Sequence, residues 1–210
     1  NAIARKKIIP AGQTVMADHE PSEFFANIVS GVIKLTKMMS DGRQQIVGLL
    51  FAPDFVGRAY AEKNPYFAEA ASDVELCSFP REDFEKILTS HPGLEHRLFE
   101  KTLDELDSCR DWMLLLGRKS AEEKVSSFLL MIAERAPNIG CSHADEANFA
   151  QFDLPLTRAD IADYLGLTIE TVSRQITRLK TRGIISIKGN REIAVPDLDL
   201  LRQVAYQDQL

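Results

Sequence analysis

The chain has 210 residues, with 25 Lys and Arg against 31 Asp and Glu, and its formal net charge is −6. A content of 45% hydrophobic and 27% charged residues excludes a mainly disordered chain, and the length fits one large domain or two small ones. We find no signal-peptide pattern and no apolar run of about 18 residues, so we expect a cytoplasmic protein with no membrane partner.

Few residues point to catalysis or to a metal. The three cysteines are odd in number and far apart, which argues against a disulfide framework and against a zinc site made from cysteine pairs. The four histidines share no spacing suited to a site, and the sequence has no Ser-His-Asp order and no glycine-rich phosphate loop. We therefore predict that the protein is not an enzyme.

Short apolar runs broken by turn residues fill the first part of the chain, from Ile8 to about Phe79. Runs such as residues 24–29 and 45–51 have the length of strands. Gly, Pro and the Asp41-Gly42 pair separate such runs at a spacing of roughly ten residues. This pattern predicts a small antiparallel β barrel or sandwich.

A long helix is predicted from about Leu94 to Leu116, a stretch that contains neither Pro nor Gly. One face of it follows the alternating three- and four-residue steps of a coiled-coil seam. The residues of this seam are Phe99, Thr102, Leu106, Cys109, Met113 and Leu116. We expect the seam to face a second copy of the chain, with Leu103 and Trp112 turned toward the β domain. The same spacing also fits a helix that packs only on its own domain.

A second helix is predicted to begin at Ser120, because Ser120 and Glu123 have the spacing of a capping box. Pro137 ends the apolar pattern of this helix. The polar segment 137–148 is predicted to be a loop, and Cys141 and His143 within it lack the further ligands that a metal site needs.

The following segment has the pattern of a winged helix-turn-helix. Thr157 and Thr168 are predicted N-caps of two short helices, and Gly166 supplies the turn between them. The apolar runs around Gly189-Asn190 predict a hairpin that would form the wing. The residues expected to hold the two helices together are Ile161, Ala162, Leu165, Val172, Ile176 and Leu179.

Charge is unevenly distributed along the chain. From Leu156 to Arg191 seven basic and three acidic residues give a net charge of +4, which leaves −10 on the remainder. A basic domain on an acidic body is typical of a protein in which only that domain meets phosphate. We therefore predict double-stranded DNA as a partner, although a solvated helix face used for a protein contact would show the same pattern.

Polar side chains of the second short helix lie away from its apolar stripe. Arg can contact the edge of guanine, Glu can accept a hydrogen bond from cytosine, and Ser or the Thr methyl group can meet thymine. The residues predicted to read bases are Glu170, Thr171, Ser173 and Arg174. The other predicted DNA-binding residues, chiefly for phosphate contacts, are Arg158, Thr168, Arg178, Lys188 and Arg191.

Three segments of this region, residues 154–158, 162–168 and 170–174, resemble the DNA-binding domain of the Crp/Fnr superfamily. The Glu-x-x-Ser-Arg arrangement from Glu170 to Arg174 is similar to that of the Fnr/FixK branch. The segment 112–119 resembles the end of the long helix in the same family, so the resemblance covers nearly the whole chain.

The resemblance implies an α+β fold with three parts: an N-terminal β-roll, which is a cyclic-nucleotide-binding-like sensor domain, over residues 3–93, a dimerisation helix over 94–117, and a C-terminal winged helix-turn-helix domain over 118–210. It implies a homodimeric transcription regulator that also contacts RNA polymerase. Members of this family are mostly activators. Members of the branch read a palindrome with TTGA-type half-sites. The implied roles are guanine contact for Arg174 and contacts to flanking bases for Glu170 and Ser173.

The resemblance also bears on the signal. Cyclic-nucleotide binders of the superfamily have an acidic residue after a Gly and an Arg about ten residues later. Here Arg58 follows Gly57 in place of the acid, and the second Arg is absent. We therefore do not expect cyclic nucleotide as a ligand.

Fnr is similar in sequence but holds a [4Fe-4S] cluster through three N-terminal cysteines and one internal cysteine. Cys77 falls where the internal ligand is expected, whereas the other three are missing from this sequence, which begins with Asn1. A cluster is therefore not expected in this chain, since such clusters need four thiolates. We expect a longer native protein that carries the N-terminal cysteines and responds to oxygen limitation. The alternative is a FixK-like, cluster-free regulator in which Cys77 is a buried strand cysteine.

Overall fold

The computed structural model describes residues 4–135, 148–189 and 191–206. In these residues the strands are β1 Arg5–Ile9, β2 Thr14–Met16, β3 Phe24–Ser30, β4 Val32–Met38, β5 Gln44–Phe51, β6 Phe55–Val56, β7 Phe67–Ala70, β8 Val74–Pro80, β9 Ala150–Asp153, β10 Ser186–Lys188 and β11 Glu192–Val195. The helices are α1 Arg81–Ser90, α2 Pro92–Arg118, α3 Ala121–Arg135, α4 Arg158–Leu165, α5 Ile169–Thr181 and α6 Leu198–Ala205. Predictions about Cys141, His143, Asn190 and the first three residues lie outside the described residues.

The N-terminal domain is a sandwich of two four-stranded antiparallel sheets, which confirms the predicted β architecture. One sheet has the order β1-β8-β3-β6 and the other β2-β7-β4-β5. Alternating residues of each strand point between the sheets, as Val74 and Leu76 of β8 do. Gly31 makes the tight turn from β3 to β4 possible, because a Cβ atom there would lie 2.2 Å from the carbonyl oxygen of Asp73.

Two helices follow the sandwich. Helix α1 is held to the first sheet by Phe84, whose ring stacks on Phe25 with centroids 4.2 Å apart. Helix α2 has 27 residues, and Leu115 near its end is the one residue of the helix that is buried. The predicted long helix is therefore present, and most of its surface is exposed in the single chain.

The C-terminal domain contains the predicted helix-turn-helix, formed by α4 and α5, together with a three-stranded sheet of order β10-β11-β9. The capping box at the start of α3 is confirmed, since the backbone NH of Ser120 donates to the carboxylate of Glu123 at 2.7 Å. Strand β9, which pairs with β11, was not predicted. The apolar run predicted as the first wing strand spans residues 184–187, whereas β10 begins at Ser186, and Ile184 and Ile185 before it are buried in the core.

The two domains share their larger hydrophobic core. Residues of β4 and β5, such as Val32 and Phe51, lie in the same cluster as Leu129 of α3 and Leu165 of α4. Two residues of α2, Trp112 and Leu103, do not face the β domain as expected. Trp112 stacks on Tyr164 of the C-terminal domain, with ring centroids 3.9 Å apart, and Leu103 remains 44% exposed. Stacking of the two rings is favourable because it buries a flat apolar face of each. Among the described helices none has the length and apolarity needed to cross a membrane.

Candidate nucleic-acid interface

Helix α4 begins with a complete capping box. The hydroxyl oxygen of Thr157 accepts from the backbone NH of Asp160 at 3.1 Å, and the backbone NH of Thr157 donates to the Asp160 carboxylate at 3.0 Å. Two of the free donors at the helix start are thereby satisfied. The first helix of the motif thus starts where the sequence predicts.

The turn between α4 and α5 depends on Gly166, which has a left-handed conformation with φ of 62°. Glycine adopts this region without the steric cost that a Cβ atom brings. Two residues later the hydroxyl oxygen of Thr168 accepts from the backbone NH of Thr171 at 3.2 Å and caps α5. Thr168 therefore caps α5, and its predicted contact with DNA stays a prediction.

Helix α5 has one buried face and one exposed face. Val172, Ile176 and Leu179 are buried against the domain core. The residues exposed on the opposite side include Glu170, Ser173, Arg174 and Arg178, while Thr171 is half-buried. Hydrogen bonds from its own backbone and from Thr168 lower the pKa of Glu170, so this side chain is an ionised acceptor at neutral pH.

The arginines of α5 differ in their surroundings. Arg174 is exposed and forms no ion pair with any residue that the structure describes. The distance from Arg178 Nε to Oε1 of Glu122 on α3 is 3.6 Å. Arg182, which follows the last residue of α5, has its Nη1 atom 2.5 Å from the same oxygen. The sequence predicted Arg178 as a phosphate contact, but no local spacing indicated its partner. Arg174 is thus the arginine of α5 that is free to enter a groove.

The predicted DNA-binding arginines and lysine outside α5 differ in their exposure. Lys188 at the end of β10 and Arg191 just before β11 are exposed in the wing hairpin, where they can contact phosphate. Arg158 is half-buried, its Nη1 atom is buried without a hydrogen-bond partner among the described residues, and burial lowers the pKa of its guanidinium group. Arg158 is therefore partly engaged in packing, which limits its reach toward DNA.

The N-terminal domain contacts α4 through three polar side chains that sequence reasoning missed. Lys34 Nζ lies 2.7 Å from Asp160 Oδ1, and the amide of Gln44 donates to Asp163 Oδ2 at 2.6 Å. The amide of Gln45 donates to the carbonyl oxygen of Tyr164 at 3.2 Å. The first helix of the motif is therefore held directly by β4 and β5.

The predicted seam of α2 lies on an open surface over most of its length. Phe99 is 59%, Leu106 45% and Met113 72% exposed, and Thr102 and Cys109 are exposed as well. Leu116, the last residue of the seam, packs partly against the larger core. The seam is thus available to a partner up to about Met113.

The residues predicted for cofactors do not form a cluster site in the described part of the chain. Cys77 is half-buried on β8, paired across the sheet with Lys6 and Asn27. In that part no group of three or more His, Cys, Asp or Glu residues is placed to hold a metal. One thiolate does not fit a cluster that needs four. In the segment that departs from the cyclic-nucleotide binders, Arg58 is exposed and Asn64 is buried, with its amide donating to the carbonyl oxygen of Ala17.

Comparison with known proteins agrees with this arrangement. Residues 6–91 match the family described as a cyclic nucleotide-binding domain, and residues 123–204 match the Crp-like helix-turn-helix domain. A protein named probable transcriptional activator from Rhizobium leguminosarum bv. viciae is 50% identical over 97% of this chain and 82% of its own length. The transcriptional activator protein FnrL of Cereibacter sphaeroides is 46% identical over 94% of this chain and 79% of its own. The structure of FixK2 from Bradyrhizobium japonicum superposes with a TM-score of 0.85 at 33% identity, and the match covers 96% of this chain and 97% of that one.

Proposed function

The chain belongs to the Crp/Fnr family of transcriptional activators, and from this premise we propose that two copies pair through α2 and read a palindromic DNA site with α5. The helix-turn-helix domain indicates DNA binding, and the relatives are transcription regulators rather than enzymes. RNA polymerase is the second partner that an activator of this kind requires.

The observation that carries the proposal is the exposed polar face of α5. Thr168 caps α5, Thr157 caps the preceding helix α4, and the apolar stripe of α5 is buried against the domain core. Arg174 projects from this face without an ion-pair partner among the described residues. An arginine in this setting suits bidentate contact with O6 and N7 of guanine, the base that a TTGA half-site offers. Glu170 and Ser173 lie on the same face and would contact the neighbouring bases.

The open apolar seam of α2 supports the dimer. Large apolar side chains such as Phe99 and Met113 are costly to leave in water along one helix face. Because their steps of three and four residues match a coiled coil, a second copy of α2 covers them best. Two α5 helices related by that dyad would enter successive major grooves about one helical turn apart.

Replacing Arg174 with Ala tests the reading of bases. We expect Arg174→Ala to weaken binding to a TTGA-type palindrome by about 1–3 kcal/mol and to relax the preference for guanine, because a direct base contact is lost. Fluorescence anisotropy with a palindrome and with duplexes altered at the guanine measures both effects. Lys188→Ala is the matched control and should weaken binding to all duplexes alike, since phosphate contacts carry no sequence information. Equal losses by Arg174→Ala on all duplexes would contradict the proposal.

For the signal we propose oxygen limitation, with two alternatives for its detection. In the first, Cys77 is one ligand of an iron-sulfur cluster whose other ligands are not among the described residues. In the second, the protein is cluster-free like FixK, and the half-buried Cys77 is a strand residue. Visible absorption of the full-length protein purified without oxygen distinguishes them: a brown protein supports the first, and a colourless protein with full DNA affinity supports the second.

A further inference from the structure

One carboxylate lies between the two arginines at the C-terminal end of α5. Glu122 Oε1 is 2.5 Å from Arg182 Nη1 and 3.6 Å from Arg178 Nε. The side chain of Glu122 is 14% exposed, whereas those of Arg178 and Arg182 are 60% and 42% exposed. The two arginines therefore enclose the carboxylate and still face solvent with part of their guanidinium groups.

The backbone of α3 holds Glu122 in this position. Ser120 and Glu123 close the capping box that starts the helix, and Glu122 lies in its first turn. An acidic side chain there is favoured by the positive end of the helix dipole. Val125 of α3 and Leu179 of α5 belong to the same buried cluster, which sets the start of α3 beside the end of α5. The placement of Glu122 is thus built into the domain core.

Glu122 pairs with only some of the basic residues near α5 and the wing. Arg178 and Arg182 share one negative charge, so the three groups together carry a net charge of +1 instead of +2. Arg174, Lys188 and Arg191 have no ion pair within the described residues. Since phosphate contacts supply the sequence-independent part of DNA affinity, Glu122 opposes that part without touching the base-reading residues.

We propose that Glu122 is a positioning residue that restrains Arg178 and Arg182 and so limits the affinity of the protein for DNA of unrelated sequence. The inference rests on the proposed function, in which α5 faces DNA. Neutralising Glu122 would release both guanidinium groups to nearby phosphates, and each new contact would displace counterions from the duplex.

The test is Glu122→Gln, which keeps the shape of the side chain and removes its charge. We expect affinity for a duplex without the palindrome to rise about three- to tenfold at low salt, because one opposing charge near phosphate is lost. A plot of log affinity against log salt should become steeper by up to about 1.8 per protomer, corresponding to two added phosphate contacts. A purely structural role of Glu122 would leave this slope unchanged.

Glu134→Gln is the matched control. Glu134 lies at the C-terminal end of α3 and pairs with Arg202 of α6 at 3.3 Å. Its replacement removes the same charge from the same helix, but far from Arg178 and Arg182. It should leave the slope unchanged. Adding Arg178→Gln and Arg182→Gln to Glu122→Gln should abolish the gain, because no released arginine remains. If Glu122→Gln destabilises the fold, as a thermal melt would show, Glu122→Ala serves as a second variant and should show the same steeper slope.

Three results would overturn the inference: an unchanged or weaker affinity for unrelated DNA in Glu122→Gln, an equal gain in Glu134→Gln, or a gain that persists in the triple variant. The preference of the wild-type protein for the palindrome shows whether the role of Glu122 or the proposed function has failed. If wild type prefers the palindrome and Glu122→Gln changes nothing, only the role of Glu122 fails. If wild type shows no preference for the palindrome, the proposed function fails first.

Discussion

Asp160 shows how one side chain can serve two structural purposes. It completes the capping box of α4 and also accepts from Lys34 of the N-terminal domain, which in turn lies 3.0 Å from Glu69. Burial acts against the charge of Asp160, but hydrogen bonds from Lys34 and Thr157 outweigh it and lower its pKa. Burial likewise acts against the charge of Lys34, but its two carboxylate partners outweigh it and raise its pKa.

These shifts define a pH window for the contribution of the pair to stability. A lowered Asp pKa gives stability that is present above about pH 4 and is lost as the pH falls through the folded-state pKa. A raised Lys pKa gives stability that is present below about pH 10 and is lost as the pH rises through the folded-state value. The pair therefore contributes fully between these limits.

Replacing Lys34 with Met should destabilise the protein by about 1–3 kcal/mol at neutral pH, because Asp160 and Glu69 are left without their shared cation. The dependence of the thermal midpoint on pH should also flatten below about pH 4, since Asp160 loses the partner that lowers its pKa. Lys37→Met is the control on the same strand. Lys37 is 40% exposed and pairs with Asp18 near the surface, so its loss should cost less than about 1 kcal/mol. Equal losses for the two variants would show that the contact with Asp160 adds nothing.

At the scale of elements, the sequence predicts helices better than their contacts. Periodicity and local caps predict α2, α4 and α5, because the residues that decide a helix lie within four positions of one another. The side of α2 that faces its own chain was harder to predict. Trp112 packs on Tyr164, which is distant in sequence, and the local pattern around Trp112 does not indicate a contact with Tyr164. Strand β9 was missed for the same reason, since its pairing with β11 is its main support.

The seam of α2 gives a prediction at this scale. Leu106→Asp should shift the protein from dimer to monomer and reduce its affinity for the palindrome at least tenfold, because a charge would be buried at an apolar seam position. Sedimentation equilibrium measures the mass, and anisotropy measures the affinity. Ser108→Asp is the control, because Ser108 lies half a turn away from Leu106 and off the seam, and it should leave both the mass and the affinity unchanged. A Leu106→Asp protein that remained dimeric would show that the seam is not the interface.

The larger hydrophobic core of the molecule contains residues of both domains. Val32, Ile46 and Phe51 of the sandwich are buried together with residues of α3 and α4, and Arg135 of α3 lies 4.8 Å above the ring of Phe51. The sequence predicts both domains separately, since each has its own pattern and charge. The junction between them is not predictable in this way, because its partners lie far apart in sequence: Lys34 and Asp160 are separated by 126 positions.

A shared core should make the two domains unfold together. Leu76→Ala removes a fully buried side chain that belongs to the sandwich cluster alone, and it should lower stability by about 2–5 kcal/mol. The single Trp of the chain, Trp112, lies on Tyr164 at the junction, so its fluorescence reports on that junction. In urea, at fixed protein concentration, we expect the fluorescence and circular dichroism transitions to coincide in wild type and to shift equally in the variant. If the Trp112 transition stayed in place while the dichroism transition split in two, the domains would unfold independently. The contacts of β4 and β5 with α4 would then be too weak to carry a signal from the sandwich to the DNA-binding helices.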